Sequence, residues 1–307
     1  MLICGIDEAR RGPIIGPMVM CGAMMEEKDL PKLIALKPKD SKLMTKEERE
    51  ELYPKLLSVL KYYHVLIIQP DEIDKAVKGA DGLNLNRLEA HKQAEILNEF
   101  NPDQAIIDCP SNNIDSYRIY LKKLLKSYRS EASGELKNQK FLSNKEVDLI
   151  LEHKAERYPL VAAASIIAKV TGDREIEATK KELGIDFGSG YMSDPKTVAF
   201  LQKNFEKYPE LFRKSWFPYQ ELVNKKFQSN LSDFGQFLKD EKKHKGHTLE
   251  DLKKLEDFGY RFEKPKSEHE LAVMKGPCTI ILYKSGKLLI QGKQEVKQSV
   301  QKLLDFS

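Results

Sequence analysis

Short apolar runs that end in charged residues recur through the first two thirds of the chain, and segments of helical spacing separate them. Leu2, Ile3, Cys4 and Ile6 predict a buried strand that ends at Asp7 and Glu8. Met18 to Met25 predicts a second strand, hairpinned to the first, and Tyr62 to Gln69, Gln104 to Cys109 and Val147 to His153 predict three more. Among the periodic segments, a helix follows Ser41 or Thr45 as its cap, with Glu47 and Glu48 in its first turn. Leu85 to Phe100 and Ile114 to Tyr128 predict two further helices, and Glu131 to Asn144 reads as a polar loop. Leu160 to Thr179 is the clearest helix, Ala-rich in its first half and charged in its second. Gly188, Ser189 and Gly190 predict a tight turn that presents Tyr191, and another helix opens at SDPKT.

From about Phe227 the pattern changes. A polar junction leads to a short helix over Leu249 to Phe258, a β-hairpin over Thr279 to Tyr283 and Lys287 to Gln291, and a closing helix over Gln294 to Leu304. The expected division is therefore an α/β body, 1–226, and a small α+β domain, 227–307. The net charge of +4 falls in this tail, where 16 Lys and Arg stand against 12 Asp and Glu from Lys226 onward. That excess favours an anionic partner. Cys4, Cys21, Cys109 and Cys278 have no CxxC spacing and lie in apolar segments, so they read as reduced core residues of a cytoplasmic protein. No apolar run approaches the ~20 residues that span a bilayer. His91 reads as a packing or surface histidine, and His244 and His247 as part of a solvated run.

Candidate chemistry sits at the strand ends. Asp7, Glu8, Asp108 and Glu156 follow three of the expected strands, and neighbouring strand ends of an open α/β sheet converge on one edge. Close carboxylates need compensation, which divalent cations supply. An oxygen-only set suits Mg²⁺ or Mn²⁺, here two ions roughly 3.5–4 Å apart, and phosphodiester hydrolysis. For Asp7 and Glu8 alone, an exposed acidic turn is the competing reading. Lys37, Lys39 and Lys42 around Asp40 fit either a solvated helix start or a phosphate contact.

These blocks carry a resemblance. GIDEARRGPIIGPM, KPKDSK, IIDCPSNN, HKAERYPLVAAASIIAKVTGDREI, DFGSGYMSDPKT and KSWF, in order over about residues 1–220, resemble archaeal-type ribonuclease HII. The resemblance implies a ribonuclease H-like fold, a mixed central sheet flanked by helices. It implies endonucleolytic cleavage of the RNA strand of RNA–DNA hybrids, giving 5′-phosphate and 3′-hydroxyl ends, with Asp7, Glu8, Asp108 and Glu156 as metal ligands. It also places Arg11, Gly12, Ser41, Lys42, Lys154 and Tyr191 against the substrate, Tyr191 near the ribose at the RNA–DNA junction. Two positions depart from the family pattern. Glu156 stands where the family usually has Asp, which shifts the carboxylate by about 1 Å; Asp173 is the other acid nearby. Arg10 stands where the family has Gly in a loop resembling a clamp on the 2′-hydroxyl. There it is expected to add a phosphate contact and to blur recognition of a lone ribonucleotide.

KGPCTIILYKSGKLLIQGKQEV resembles the TATA-binding-protein-like substrate-binding module of ribonuclease HIII, which makes Lys284, Ser285, Lys287 and Lys293 candidate contacts to a hybrid. The expected protein is a monomeric, metal-dependent ribonuclease H without a small-molecule cofactor or a membrane, favouring runs of ribonucleotides. Two other readings compete with it: a hybrid-binding protein with impaired catalysis, and an architectural DNA-binding protein carried by the tail.

Overall fold

The computed structural model describes residues 1–78, 83–135, 146–226, 249–265, 267–284 and 288–304. Backbone contacts divide the chain into two units, Met1–Tyr219 and Gln220–Ser307. No described helix is long and apolar enough to cross a membrane.

The first unit is built on a five-stranded sheet of order β3-β2-β1-β4-β5. Its strands are β1 (Leu2–Ala9), β2 (Met18–Glu26), β3 (Tyr62–Ile68), β4 (Gln104–Asp108) and β5 (Asp148–Glu152). β1, β2 and β3 pair antiparallel, whereas β4 runs parallel to both β1 and β5, so the sheet is mixed. The helices are α1 (Leu30–Ala35), α2 (Lys46–Val59), α3 (Pro70–Lys78), α4 (Leu85–Phe100), α5 (Ile114–Glu135), α6 (Pro159–Leu183) and α7 (Pro195–Asn204).

Strand alternation divides the core into two layers. Cys4 and Ile6 of β1 pack with Ala90, Ala94 and Leu97 of α4 and with Tyr117 and Leu121 of α5. Ile3 packs on the other face, with Leu52 and Leu56 of α2 and Ile166 and Ile167 of α6. At Gly5 the backbone of α6 lies directly on the strand: a Cβ there would meet Leu160 C at 2.4 Å. Glycine is therefore required at that position, and it sets how closely α6 lies against β1.

Several boundaries differ from the expected ones. β1 does not stop before its acids but runs through Asp7 and Glu8 to Ala9, because β2 continues to pair with it as far as Ala9↔Val19. Thr45 caps α2 in a reciprocal capping box with Glu48, and Ser41 opens a separate 3₁₀ turn capped by Asp40. α5 continues to Glu135, into the segment read as loop.

In the second unit, β6 (Arg261–Glu263), β7 (Glu270–Lys275), β8 (Thr279–Tyr283) and β9 (Leu288–Gln291) form an antiparallel sheet in that order. Met274, Ile280 and Leu282 pack against Leu252 and Leu255 and against Val296 and Val300 of the closing helix Gln294–Leu304. β6 and β7 were not expected: β6 has three exposed residues without apolar alternation, and charges flank the short apolar centre of β7. Ser285 and Lys287, at the expected hairpin turn, lie outside the described residues, as do His244 and His247.

Candidate active site

Two adjacent acids are tolerated in β1 because a strand sends consecutive side chains to opposite faces. Asp7 faces α6, and Ser165 of that helix donates a hydrogen bond to it. Ser165 in turn shares a 2.9 Å hydrogen bond with the buried hydroxyl of Ser41. The Asp7 carboxylate also accepts from Glu8 N at 2.8 Å. Glu8 faces α4, where it meets the charge of Glu89, and its Oε2 is buried without a hydrogen-bond partner.

The remaining acids arrive by register. Pairing of β1 with β4 runs from Ile3↔Gln104 to Ile6↔Ile107, so Asp7 and Asp108 are the next residues on the two strands. Asp108 Oδ1 accepts from Ala155 N at 3.1 Å, which ties β4 to the 3₁₀ turn Ala155–Arg157 beyond β5. That turn carries Glu156, whose side chain is 8% exposed and lies 3.3 Å from Lys42 Nζ. Lys154 precedes it in a left-handed conformation, φ 59°.

Burial pushes the Asp7 carboxyl up to about 8, and the charges of Asp108 and Glu156 add to the rise. Burial also raises Glu8 well above the carboxylate range, with Glu89, Asp7 and Asp108 adding in that order. Asp108 is raised as well, first by burial and then by Glu156, against the hydrogen bond from Ala155. The four side chains thus share one electrostatic field. Among the described residues, no three His, Cys, Asp or Glu side chains stand grouped so as to enclose a single ion. Mg²⁺ often takes only one or two protein carboxylates and completes its shell with water and substrate phosphate, so an open, shared set suits it. The orphaned Glu8 Oε2 and the mutual repulsion of the acids are what a cation would relieve.

The sign of the pH dependence follows. Asp7 titrates near 8 in the fold but near 3.8 when unfolded, so the folded state holds a proton that the unfolded chain releases. This contribution is complete below about pH 4 and is lost as pH rises through about 8; Glu8 and Asp108 act in the same direction. In EDTA the melting temperature is expected to be lower at pH 8.5 than at pH 6. Mg²⁺ or Mn²⁺ should raise it more at the higher pH, because cations displace those protons. A calorimetric scan at both pH values checks this, and a metal effect independent of pH would contradict it.

The loop after β1 is held from beneath. Arg213, fully buried, donates to Arg11 O at 2.5 Å, Arg10 O at 2.7 Å and Gly16 O at 3.1 Å. Trp216 Nε1 donates to Gly12 O at 3.3 Å. Among the described residues, none beyond its two chain neighbours comes within 4 Å of a Cβ built at Gly12, so packing among them does not require glycine there. Arg11 turns toward α4, with Nε 2.6 Å from Glu89 Oε1 and Nη2 2.7 Å from Asn86 Oδ1. The Tyr191 turn joins the same loop: Ile14 N and Ile15 N both donate to Gly190 O.

The structure corrects the expected role of the Arg10 side chain. It is 2% exposed and points inward, where Nη2 donates to Ile15 O at 3.2 Å and Ser189 O at 3.0 Å. A guanidinium enclosed in this way does not reach a substrate phosphate. The backbone nonetheless keeps the left-handed conformation, φ 59°, at a cost of order 1–3 kcal/mol for a residue with a side chain. Ser41 is likewise not a surface contact, since it is 4% exposed and bonded to Ser165.

Sequence reasoning missed Glu89, Ser165 and Arg213. Glu89 and Gln93 are both fully buried and continue the helical spacing of Ile96 and Phe100, so a polar pair on an apolar stripe was the available signal. Arg213 had none beyond its place beside KSWF, because its acceptors lie about 200 residues earlier in the chain.

A mixed five-stranded sheet of this order, flanked by helices and with acids at the ends of β1 and β4 and on the turn after β5, defines a protein of the ribonuclease H-like fold. Residues 4–218 match the Ribonuclease HII family, and the chain belongs to that family. A ribonuclease HII of Methanococcus maripaludis is 41% identical over 239 residues, covering 75% of this chain and 90% of the relative. The crystal structure of ribonuclease H2 from Pyrococcus horikoshii OT3 superposes with a TM-score of 0.61 at 36% identity, covering 73% of this chain and 98% of that one. Bst-RNase HIII in complex with Mn²⁺ shares the fold at 21% identity, with a TM-score of 0.54 over 73% of this chain and 70% of that one. The activity is that of a ribonuclease HII, endonucleolytic hydrolysis of RNA in RNA–DNA hybrids.

Proposed function

We propose that hydrolysis occurs at the ends of β1 and β4, with Asp7, Glu8, Asp108 and Glu156 holding two divalent cations. The observation that carries this is the buried, unpartnered Glu8 Oε2 beside the carboxyls of Asp7 and Asp108, all three raised by burial and by neighbouring acids. The oxygen-only donors fit Mg²⁺ or Mn²⁺, the latter being the ion in the Bst-RNase HIII complex. When bound, such a pair supplies an activated water and stabilises the leaving 3′-oxygen. The residues of the chain position the substrate around that centre. Ser165 and Glu8 N orient the Asp7 carboxylate, and Ala155 N orients that of Asp108. Lys42, 78% exposed at its side chain, holds Glu156 and presents charge to the scissile backbone. Lys154 stands two residues before Glu156, and the open space above Gly12 admits a close backbone approach by the ribonucleotide. Tyr191 stacks beside the junction ribose.

The four-stranded sheet of the second unit is proposed to be TATA-binding-protein-like and to add affinity for the hybrid, with Lys284, next after β8, and Ser285 and Lys287 as candidate contacts. With the Arg10 side chain turned inward, a preference for runs of ribonucleotides rests on Glu156 and on this sheet. A labelled continuous hybrid and a duplex with one embedded ribonucleotide, each incubated with Mg²⁺, Mn²⁺ or EDTA, test both points. EDTA is expected to abolish cleavage, and the continuous hybrid should be cut about tenfold faster than the single-ribonucleotide duplex. Equal rates would remove the preference. A hybrid bound but uncut in Mn²⁺ would instead favour a binding protein with impaired catalysis.

A further inference from the structure

Arg10 occupies a position whose backbone suits glycine, yet its surroundings are shaped to hold an arginine. The side chain passes between two glycines. A Cβ at Gly172 of α6 would lie 2.6 Å from Arg10 Cδ, and one at Gly190 would lie 2.8 Å from Nη2. At its end the guanidinium meets three separate parts of the fold. Nη2 bonds Ile15 O of the loop after β1 and Ser189 O of the Tyr191 turn, and Nη1 lies 3.7 Å from Asp173 Oδ1 on α6. Its central carbon also lies 5.6 Å from the centroid of the Tyr191 ring. Asp173 is itself held by Lys169 at 2.6 Å and Arg49 at 3.4 Å, so the anchor is fixed.

We infer that Arg10 is a positioning residue that fastens the Gly188–Gly190 turn to the loop after β1 and so sets the place of the Tyr191 ring. Gly188 and Gly190 are both left-handed, φ 79° and 86°. Hydrogen bonds from Ile14 N and Ile15 N to Gly190 O and from Ser189 N to Asp194 Oδ2 at 2.7 Å hold the main chain of the turn, so Arg10 adds a side-chain contact that also faces the Tyr191 ring. Nη2 bonded to two carbonyls fixes the planar fork at one corner, and the charges of Asp173 at 3.7 Å and of the guanidinium near the aromatic ring add orientation. The side chain thereby supplies a tether that a glycine at this position would lack. The inference rests on the reading of Tyr191 as a substrate contact, and the test separates the two.

The test is a double-mutant cycle on a continuous RNA–DNA hybrid, using Arg10→Gly, Arg10→Lys, Tyr191→Ala and the Arg10→Gly/Tyr191→Ala pair. Hydrogen exchange over residues 187–194 is followed in parallel. Tyr191→Ala is expected to lower kcat/KM about tenfold, and Arg10→Gly about fivefold. In the Tyr191→Ala background, Arg10→Gly should cost less than about twofold, and Arg10→Lys should fall between the wild type and Arg10→Gly. Exchange over 187–194 should quicken about tenfold in Arg10→Gly. Equal losses from Arg10→Gly with and without Tyr191, or unchanged exchange, would overturn the inference. Quickened exchange with a fully active Tyr191→Ala would overturn the effect on cleavage and would locate the error in the reading of Tyr191. If Arg10→Gly does not fold, Gly172→Ala presses on Arg10 Cδ from the opposite wall. It should reproduce the quickened exchange, and the inference fails if it does not.

Discussion

Asp7→Asn is expected to lower hybrid cleavage by about a thousandfold while the metal-free protein becomes more stable at alkaline pH. The two effects have one origin. Asp7 is 4% exposed, and the carboxyls of Asp108 and Glu156 share its field, so its negative charge is unfavourable until a cation arrives. The amide has nearly the same shape, keeps an acceptor for Ser165 and Glu8 N, and removes that charge. Loss of one ligand from a cation worth several kcal/mol to the transition state costs roughly 4 kcal/mol, or three powers of ten in rate. In EDTA at pH 8.5 the variant should melt about 5 °C above the wild type, and the difference should shrink toward pH 5 as the native carboxyl takes up its proton. Single-turnover rates and thermal scans check the two halves separately. Wild-type cleavage in the variant would remove Asp7 from the metal site.

Arg213→Met carries the second large effect, and here stability falls first. Arg213 is fully buried and donates to three carbonyls of the loop after β1, those of Arg10, Arg11 and Gly16. Burial and the nearby charge of Arg10 both work against its ionisation, and the charges of Tyr191 and Asp74 work for it. Methionine fills much of the space but takes the Arg213 donors from two buried carbonyls, those of Arg10 and Gly16, and from the half-buried one of Arg11. The expected loss is about 3–5 kcal/mol, the range for removing one partner from a buried charged group. The melting temperature should drop by about 10 °C. Arg213→Lys should recover part of it, because an ammonium meets fewer of the three acceptors than the guanidinium fork. Urea unfolding measures both variants, and a loss below about 1 kcal/mol would show that the loop does not depend on this side chain.

The sequence was most readable where a pattern repeats or a chemical type clusters. Leu85–Phe100 was legible to the residue, because helical periodicity ends at clear stops, and the start of Gln294–Leu304 was equally legible. The ends of β4 and β5 were legible within a residue or two, because short apolar runs give way to acids and turn formers. The path of β1 through Asp7 and Glu8 was not, since it depends on how far β2 continues to pair. Interactions between distant residues were the least legible. Glu89 meets Arg11 across 78 positions, and Arg213 reaches Arg10 across 203. The direction of Arg10 was misjudged for the same kind of reason. Whether a side chain at a left-handed position faces outward or inward depends on the empty lane left by Gly172 and Gly190. Neither residue is a neighbour of Arg10 in sequence.

The contact of α6 with Gly5 has a consequence for the chemistry two residues later. Because helix and strand touch backbone to backbone there, even one methyl would act as a wedge, with Leu160 C only 2.4 Å away. Tilting the helix by that amount would lift the Ser165 hydroxyl off Asp7 and loosen its hold on Ser41. The smallest residue in the strand thus works as the gauge for the Asp7 carboxylate, a task that no charged group near it could perform.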